Sequence, residues 1–305
     1  MNLQYQNKLL NYFIPVLYLH PNEEISPISI KEYINNCELC INCNKSYKNN
    51  IFKKSNIIKE NKEILLDKGK IYLPLNTTLS NIPNKYLHYK GDYYLPNPLT
   101  INQVPIYGLV QEYNNYIDII YIFNYYYNNP YKLFCINIGG EHQADIKHIR
   151  IRIDYNNLYN QDIPFNIKSI YYSAHLSEQG RWIKPNEIEW YNNKKNRNPT
   201  IYVAKDSHSN YNKSGIWYRT FGLANDYTKK KNAIKWKPEN VINLHERDDL
   251  MSYRGDMDNN GIKDLNKFIQ ESPPHEKTYS TFLYRFFYPL SESLSKSFNC
   301  CSSRK

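Results

Sequence analysis

A ten-residue segment from Asp145 to Asp154 constrains the fold more than any other part of this sequence. Its side chains alternate, so that Ile149, Ile151 and Ile153 project to one side of an extended chain and basic side chains project to the other. Alternation with a period of two predicts a half-buried β-strand, here with a basic outer face. Residues 169–176 continue the same pattern and predict a second strand.

Further apolar runs predict additional strands and few helices. Residues 105–111 and 117–126 are expected to pair as a hairpin, residues 200–204 form another strand, and residues 31–35 begin a short helix. Strands that follow one another without long helical segments are typical of a sandwich. The predicted fold is therefore mainly β, an antiparallel β-sandwich-like core with a few short helices. The side chains expected in that core are Ile149, Ile151, Ile153, Ile170, Tyr172, Ile201 and Val203.

The chain is predicted to form a single β-rich domain over residues 1–274, with an insertion at residues 45–70. The insertion is rich in Lys and Asn and has little apolar surface to offset the entropy lost on folding. Residues 275–305 are predicted to be a loosely attached C-terminal tail. Limited proteolysis is therefore expected to cut first in the insertion and the tail and to leave a folded core.

The composition is basic and rich in tyrosine, with 39 Lys and Arg against 29 Asp and Glu, and with 31 Tyr. Such a composition suits a polyanion, but the lysines are scattered and the sequence has no specific nucleic-acid motif. The partner expected from the sequence is therefore another protein or a membrane surface.

No segment approaches the roughly 18 consecutive apolar residues of a transmembrane helix, so no transmembrane segment is predicted. The apolar run at residues 8–19 lacks the small-residue cleavage site of a signal peptide, and a first buried strand is the better interpretation. We therefore expect an intracellular protein, either cytoplasmic or peripheral to an endomembrane, rather than a secreted one.

Five of the six cysteines lie in two short groups. Cys37, Cys40 and Cys43 lack a second pair of Cys or His ligands that would complete a zinc site. A reduced protein with a chance cluster is therefore favoured, and a metal site stays open as the alternative. Cys300 and Cys301 lie between basic residues near the end of the chain and are candidates for lipidation.

Polar side chains at the predicted strand ends form the main candidate site. They are either ligands of a divalent metal or members of a hydrogen-bonded polar cluster: His142, Asp145, His148, His175, Ser207 and His208. A hydrolytic metal centre needs three or four such ligands and one open coordination position. The spacing argues against one metal ion bound by both His142 and His148. These two residues would lie about 20 Å apart in an extended strand, unless the chain turns near Ala144.

The polar cluster is therefore the favoured interpretation of these residues. We predict that Asp145, His142, His175 and His208 lie at one end of the fold, because loops at one end of a sandwich can bring distant blocks together. At least two of the histidines should reach a common partner.

A second candidate site is a segment that begins like a calcium-binding loop. It has the expected pattern at its first positions, and its candidate ligands are Asp256, Asp258, Asn260 and Asp264. The twelfth position, which should be a bidentate Glu, is Lys267. Calcium binding is therefore not expected here.

Four blocks carry a family resemblance, and they occur in the family's order. They are Pro15-Val-Leu-Tyr-Leu-His-Pro-Asn-Glu23, Gly140-Glu-His-Gln-Ala-Asp-Ile-Lys-His148, Tyr172-Ser-Ala-His175 with Gly180-Arg-Trp182, and Pro199-Thr-Ile-Tyr-Val-Ala-Lys-Asp-Ser-His-Ser-Asn-Tyr211. The chain thereby resembles the vacuolar protein sorting-associated protein 62 family. The family's typical patterns at the second and fourth blocks are G-D-H-x-G-D-W-E-H and P-x-x-Y-V-A-x-x-S-H-A-N-Y. With faint matches to the family's closing elements at Tyr253-Arg-Gly255 and Ser272-Pro-Pro274, the resemblance extends over residues 15–274, without the insertion.

Besides the conservative exchange of Asp for Glu141, the second block departs from the family's pattern at three positions. Ala144 replaces a Gly, Ile146 replaces a Trp and Lys147 replaces an acidic residue. If the acidic position carries out chemistry in the family, the reversed charge of Lys147 would disable it. The family's name implies a link to protein delivery to the vacuole, but the resemblance brings no established reaction and no catalytic residues.

Two functions from different classes follow. The first, implied by the resemblance, is a non-enzymatic interaction or trafficking module in protein delivery to the vacuole. The alternative is a metal-assisted hydrolase that uses His142, Asp145, His175 and His208. The charge of Lys147 and the spacing of the histidines favour the first. The sequence identifies no cofactor beyond this candidate divalent metal.

Overall fold

The alternating segment that dominates the sequence is the centre of a six-stranded sheet. The computed structural model describes residues 1–41, 85–89, 100–133, 136–154, 167–175, 180–192, 197–218, 225–251 and 269. The helices are α1 (Leu3–Tyr12), α2 (Ile30–Asn35) and α3 (Asp248–Met251), with 3-10 turns at Ile101–Gln103, Pro185–Glu187 and Leu244–Glu246.

The described residues contain seventeen β-strands, most of them joined by short connections. They are β1 (Val16–Leu19), β2 (Cys37–Ile41), β3 (Lys85–Tyr89), β4 (Ile106–Glu112), β5 (Tyr116–Asn128), β6 (Tyr131–Leu133), β7 (Ile136–Gly139), β8 (His142–Asp154), β9 (Ile167–Tyr172), β10 (Arg181–Ile183), β11 (Trp190–Asn192), β12 (Arg197–Val203), β13 (Asn210–Tyr211), β14 (Gly215–Trp217), β15 (Asp226–Thr228), β16 (Ile234–Trp236) and β17 (Val241–Asn243).

Two sheets form the core. The larger has the order β10-β9-β8-β5-β4-β17, and the smaller has the order β11-β12-β1-β16 with β13 paired to β12. The pairs β4–β5, β5–β8 and β8–β9 are antiparallel, as predicted. The pairs β1–β12 and β17–β4 are parallel, so both sheets are mixed rather than purely antiparallel.

Apolar side chains from both sheets share one core. Ile149 and Ile151 of β8 belong to the same buried cluster as Ile201 and Val203 of β12 and Trp236 of β16. All seven side chains predicted for the core are buried. The prediction of a mainly β, sandwich-like core is therefore confirmed.

The outer face of β8 is also covered, which differs from the predicted half-buried strand. Arg150 is only 1% exposed and donates from Nη2 to the carbonyl oxygen of Ile269 at 2.7 Å. Further along the same face, α2, the turn at Leu244 and α3 contribute side chains to a second buried cluster. The segments that cover this face are distant in sequence, so the alternation of β8 alone could not show that both of its faces are buried.

The N-terminal apolar run was expected to be a first buried strand, and this interpretation is correct for Val16–Leu19 but wrong for residues 8–12. Residues 3–12 form α1, whose first turn is capped by the side chain of Asn2, and only Val16–Leu19 are extended. Leu10 packs closely on β4, because a Cβ at Gly108 would lie 2.5 Å from its side chain. No helix among the described residues combines the length and the apolar character needed to cross a membrane.

Candidate functional site

Four charged side chains meet at one end of the space between the two sheets. We call Glu23, Asp145, Lys147 and His208 the charge cluster. Asp145 and Lys147 lie on the inner face of β8, four and two residues before Ile149. Glu23 follows β1, and His208 lies in the turn between β12 and β13. Residues of both sheets therefore meet here, each at most 5% exposed.

The two carboxylates of the charge cluster have cationic and backbone partners. Lys147 Nζ lies 2.6 Å from Asp145 Oδ1, and His208 Nδ1 lies 2.8 Å from Asp145 Oδ2. His208 Nε2 lies 3.7 Å from Glu23 Oε1. The backbone N–H groups of Ile25 and Asp206 donate to the two oxygens of Glu23 at 3.0 and 2.8 Å. All four carboxylate oxygens are thus in contact with a donor or a cation.

Electrostatics makes the charge cluster neutral as a whole. Burial alone would lower the pKa of His208, but the charges of Glu23 and Asp145 outweigh burial and raise it to about 9. Burial also opposes ionisation of the carboxylates, yet Lys147 and His208 hold the pKa of Asp145 well below its usual value. The pKa of Glu23 is lowered because His208 outweighs its burial. Near neutral pH the cluster carries two negative and two positive charges.

An aromatic ring closes one side of the charge cluster. Tyr125 of β5 stacks on the imidazole of His208, with ring centroids 3.9 Å apart and ring planes 7° apart. Burial, and then the charges of Asp145 and Glu23, raise the pKa of Tyr125 well above its usual value. The phenol is therefore neutral, and its ring keeps water from one face of His208.

The predicted site residue His142 lies at the edge of the charge cluster. The backbone of Ala144 has a positive φ of 54°, so β8 does not run straight between His142 and Asp145. His142 Nε2 is 4.0 Å from Asp145 Oδ1. Two of the predicted histidines, His142 and His208, thus lie within ion-pair distance of one carboxylate.

His148 is not part of the charge cluster. It lies six residues after His142 in β8, and its ring contacts that of Tyr171, with ring centroids 5.4 Å apart. Burial and the charges of Arg150 and Lys147 lower its pKa well below the usual value, so it is neutral. The sequence-based objection to one metal ion bound by both His142 and His148 therefore holds.

His175 and Ser207 meet in a second polar cluster, which we define as His175, Ser207, Tyr211 and Asp226. The carboxylate of Asp226 is central: His175 Nε2 lies at 2.9 Å, Ser207 Oγ donates at 2.8 Å and Tyr211 Oη donates at 2.6 Å. In a catalytic triad the histidine lies between the nucleophile and the acid. Here Ser207 donates to the acid itself, so the arrangement is not that of an activated serine.

The two clusters are joined through adjacent residues of one turn. Ser207 bonds to Asp226, and the next residue, His208, bonds to Asp145. The structure thus brings five of the six predicted residues to one region and leaves His148 outside. The predicted strand at residues 169–176 ends at Tyr172, so His175 lies on the loop that follows.

The predicted basic face of β8 is not an open cationic surface. The Arg152 guanidinium bonds to both carboxylate oxygens of Asp118 at 2.8 and 2.9 Å. It also lies between the rings of Tyr116 and Trp182, at 3.9 and 4.2 Å from their centroids. With Arg150 buried, this face is part of the packed fold.

The other candidate sites lie mostly outside the described residues. This applies to Asp256, Asp258, Asn260 and Asp264, to Cys43, Cys300 and Cys301, to the insertion at residues 45–70 and to the tail. Of the cysteine cluster, Cys37 is buried in β2, the strand that also contains Cys40. Within the described residues, no group of three or more His, Cys, Asp or Glu side chains is arranged to hold a metal ion.

Sequence reasoning missed two carboxylates that organise this region. Glu23 lies four residues after the end of β1, in the first of the blocks that carry the resemblance, and its position shortly after an apolar run was a usable signal. Asp226 lies in no motif, so nothing in the sequence singled it out. Lys147 was noticed only as a departure from a pattern, and its contact with Asp145 depends on the strand geometry that places residues i and i+2 on one face.

The sequence model of one protein family matches most of the chain. That family is described as Vacuolar protein sorting-associated protein 62, and the match covers residues 1–237. No curated protein matches the chain.

Two solved structures align with part of the chain. One is described as "Crystal structure of non-toxic HaNLP3 protein", at 15% identity and a TM-score of 0.29. The other is described as "Toxin fold for microbial attack and plant defense", at 18% identity and a TM-score of 0.31. The alignments cover 47% and 50% of this chain, which spans 52% and 58% of the two solved chains. At these TM-scores the alignments support no conclusion about function.

Proposed function

This chain belongs to the vacuolar protein sorting-associated protein 62 family, and we propose that it is a non-enzymatic binding module in the delivery of proteins to the vacuole. The family's description supports the link to vacuolar sorting. One observation supports a module without catalysis: the two negative and two positive charges of the charge cluster pair with each other inside the protein.

A reaction centre needs a group that is free to meet the substrate, or a coordination position that stays open. The charge cluster has neither a carboxylate oxygen without a partner nor an open coordination position. Lys147 and His208 occupy the two oxygens of Asp145, and backbone N–H groups occupy those of Glu23. Such an arrangement fixes loops of both sheets against each other, which is what a rigid binding scaffold requires.

The alternative, a metal-assisted hydrolase, is favoured by one observation. His142 Nε2 and His208 Nδ1 lie 4.0 and 2.8 Å from the two oxygens of Asp145, and imidazole and carboxylate are groups that bind metal ions. A metal ion would have to displace the ammonium of Lys147 from Asp145. The two functions therefore predict different metal contents.

Metal content of the purified full-length chain tests the choice between them. We expect no stoichiometric zinc or other transition metal by elemental analysis, and no change in melting temperature on addition of EDTA. Stoichiometric metal that is lost in the His142→Gln variant would overturn the binding module and support the hydrolase. His245→Gln is the matched control, because His245 lies outside both clusters.

The trafficking role requires a test in cells. We expect that depletion of this chain makes a fluorescent vacuolar cargo accumulate outside the vacuole, and that the wild-type chain restores delivery. The His142→Gln variant should restore delivery equally well, because a binding module needs no metal ligand there. Normal cargo delivery after complete depletion would contradict the proposed role.

A further inference from the structure

Two large apolar side chains are exposed side by side on the hairpin formed by β14 and β15. Ile216 is 39% exposed and Tyr227 is 42% exposed. The two residues are Cα partners in the antiparallel register, so they lie on the same face of the hairpin. Their neighbours in each strand, Trp217 and Asp226, are buried on the other face. The hairpin therefore presents an apolar pair to the surroundings.

Exposed lysines surround this apolar pair. Lys229 and Lys231 follow directly after the end of β15, and both are exposed. Lys213 lies at the other side of the hairpin base, where its carbonyl oxygen accepts from Thr228 Oγ1. We call Lys213, Ile216, Tyr227, Lys229 and Lys231 the hairpin patch. Its three lysines are exposed and have no carboxylate partner among the described residues.

The hairpin patch is held rigidly by the buried side of the hairpin. Trp217 stacks on Tyr211 of β13, with centroids 4.2 Å apart and ring planes 15° apart. The backbone N–H of Lys205 donates to the carbonyl oxygen of Tyr227 at 3.0 Å. The apolar pair is thus pre-positioned, and binding would cost little additional ordering entropy.

From this arrangement we infer that the hairpin patch docks on an anionic lipid bilayer. Tyr is suited to the interfacial region of a bilayer because it has an apolar ring and a polar tip, and Ile216 supplies a purely apolar contact. The ammonium groups of the surrounding lysines complement the phosphate and carboxylate groups of anionic lipids. The net charge of +10 attracts the whole chain to such a surface.

The size of the hairpin patch favours a bilayer over a protein partner. A stable protein–protein interface buries about 800 Å² on each partner, and two partly exposed apolar side chains supply only a small part of this. Reversible membrane binding needs far less apolar area when several lysines contribute. The inference goes beyond the proposed function, because a binding module could act in vacuolar delivery without touching lipid.

Vesicle co-sedimentation of the full-length chain tests this inference. We expect binding to phosphatidylcholine vesicles that contain about 30% phosphatidylserine, and little binding to pure phosphatidylcholine. Changing Lys213, Lys229 and Lys231 together to Gln should weaken binding about a hundredfold, from roughly fivefold for each lysine. The pair Ile216→Ser and Tyr227→Ser should weaken it about tenfold or more.

Matched controls separate the hairpin patch from the overall charge. Changing Lys8, Lys31 and Lys168 to Gln removes the same charge from α1, α2 and β9, and Tyr191→Ser removes an equally exposed Tyr from β11. These controls should keep most of the binding. Equal losses in the controls and the patch variants would overturn the inference, as would binding of the wild type that does not depend on anionic lipid.

A failure here is distinguishable from a failure of the proposed function. A chain that ignores vesicles but still supports cargo delivery and contains no metal would overturn only the docking surface. If the wild type bound a protein but no lipid, and the patch variants lost that protein, the inference that the hairpin patch binds a lipid bilayer would be wrong. Stoichiometric metal would overturn the proposed function and leave the vesicle result unaffected.

Discussion

The pH dependence of stability gives the sharpest test of the charge cluster. His208 has an ordinary pKa of 6.5 and a folded-state pKa of about 9, and it is fully buried. Because the folded pKa is raised, the stabilisation is fully present below pH 6.5 and is lost as the pH rises through about 9. A rise of this size corresponds to about 3 kcal/mol in the free energy of unfolding.

Urea unfolding at pH 6 and at pH 9.5 measures this directly. We expect the free energy of unfolding of the wild type to fall between these pH values by about 3 kcal/mol more than that of the His208→Gln variant. The His245→Gln variant should keep the wild-type pH dependence, because His245 lies on an exposed turn outside the cluster. Groups that titrate elsewhere contribute equally to all three proteins and cancel in the comparison.

The acidic side of the same profile has the opposite sign. The folded pKa values of Glu23 and Asp145 are lowered, so their stabilisation is present above their ordinary values of 4.5 and 3.8 and is lost as the pH falls. The contribution of the cluster should therefore be greatest between about pH 5 and 6.5. Equal pH dependence in the wild type and His208→Gln would refute the assignment of a buried imidazolium.

Three further predictions test the surroundings of the cluster. Lys147→Met should lower the free energy of unfolding by about 3–5 kcal/mol, since it leaves a buried carboxylate without its ammonium partner, whereas Lys168→Met on a partly exposed ion pair should change it by less than about 1 kcal/mol. A chain truncated after residue 237 should not fold, because it loses β17 and the carbonyl partner of Arg150; a melting temperature equal to that of the full chain would contradict this. His175→Ala should cost about 1–3 kcal/mol in urea unfolding, since it removes a partner from a buried carboxylate, and an unchanged stability would show that the second polar cluster does not hold the loops.

Local pattern predicted four of the six strands of the larger sheet, β4, β5, β8 and β9, but not the short edge strands β10 and β17. The period of two at Ile149, Ile151 and Ile153 fixed both the strand and its inward face, because a one-residue shift would expose every one of these side chains. The burial of Arg150 was not predictable, because its carbonyl partner is Ile269, more than a hundred residues away. The helix α1 was not predicted because its apolar residues and those of β1 form one almost continuous apolar run in the sequence.

The candidate site was partly accessible from the sequence. The histidines and Asp145 were selected as polar residues at strand ends, and the structure places His142 and His208 next to Asp145. The partner of His175 was not accessible, since Asp226 enters from a hairpin that no motif marks. The alternation of a strand predicts on which face of its sheet a side chain lies. Its partner in another sheet depends on how the two sheets pack, which the alternation does not show.

The backbone around the charge cluster supports its interpretation as a rigid scaffold element. Ala144, Asp206 and His208 have positive φ values of 54°, 67° and 50°, and each such non-glycine residue costs about 1 kcal/mol. Two of them are held by the cluster itself, because the N–H of Asp206 donates to Glu23 and the ring of His208 bonds to Asp145. The charged hydrogen bonds therefore offset the strain of the turn between β12 and β13. A turn held in this way has little freedom to move during a reaction cycle, but it keeps the neighbouring hairpin in place for binding.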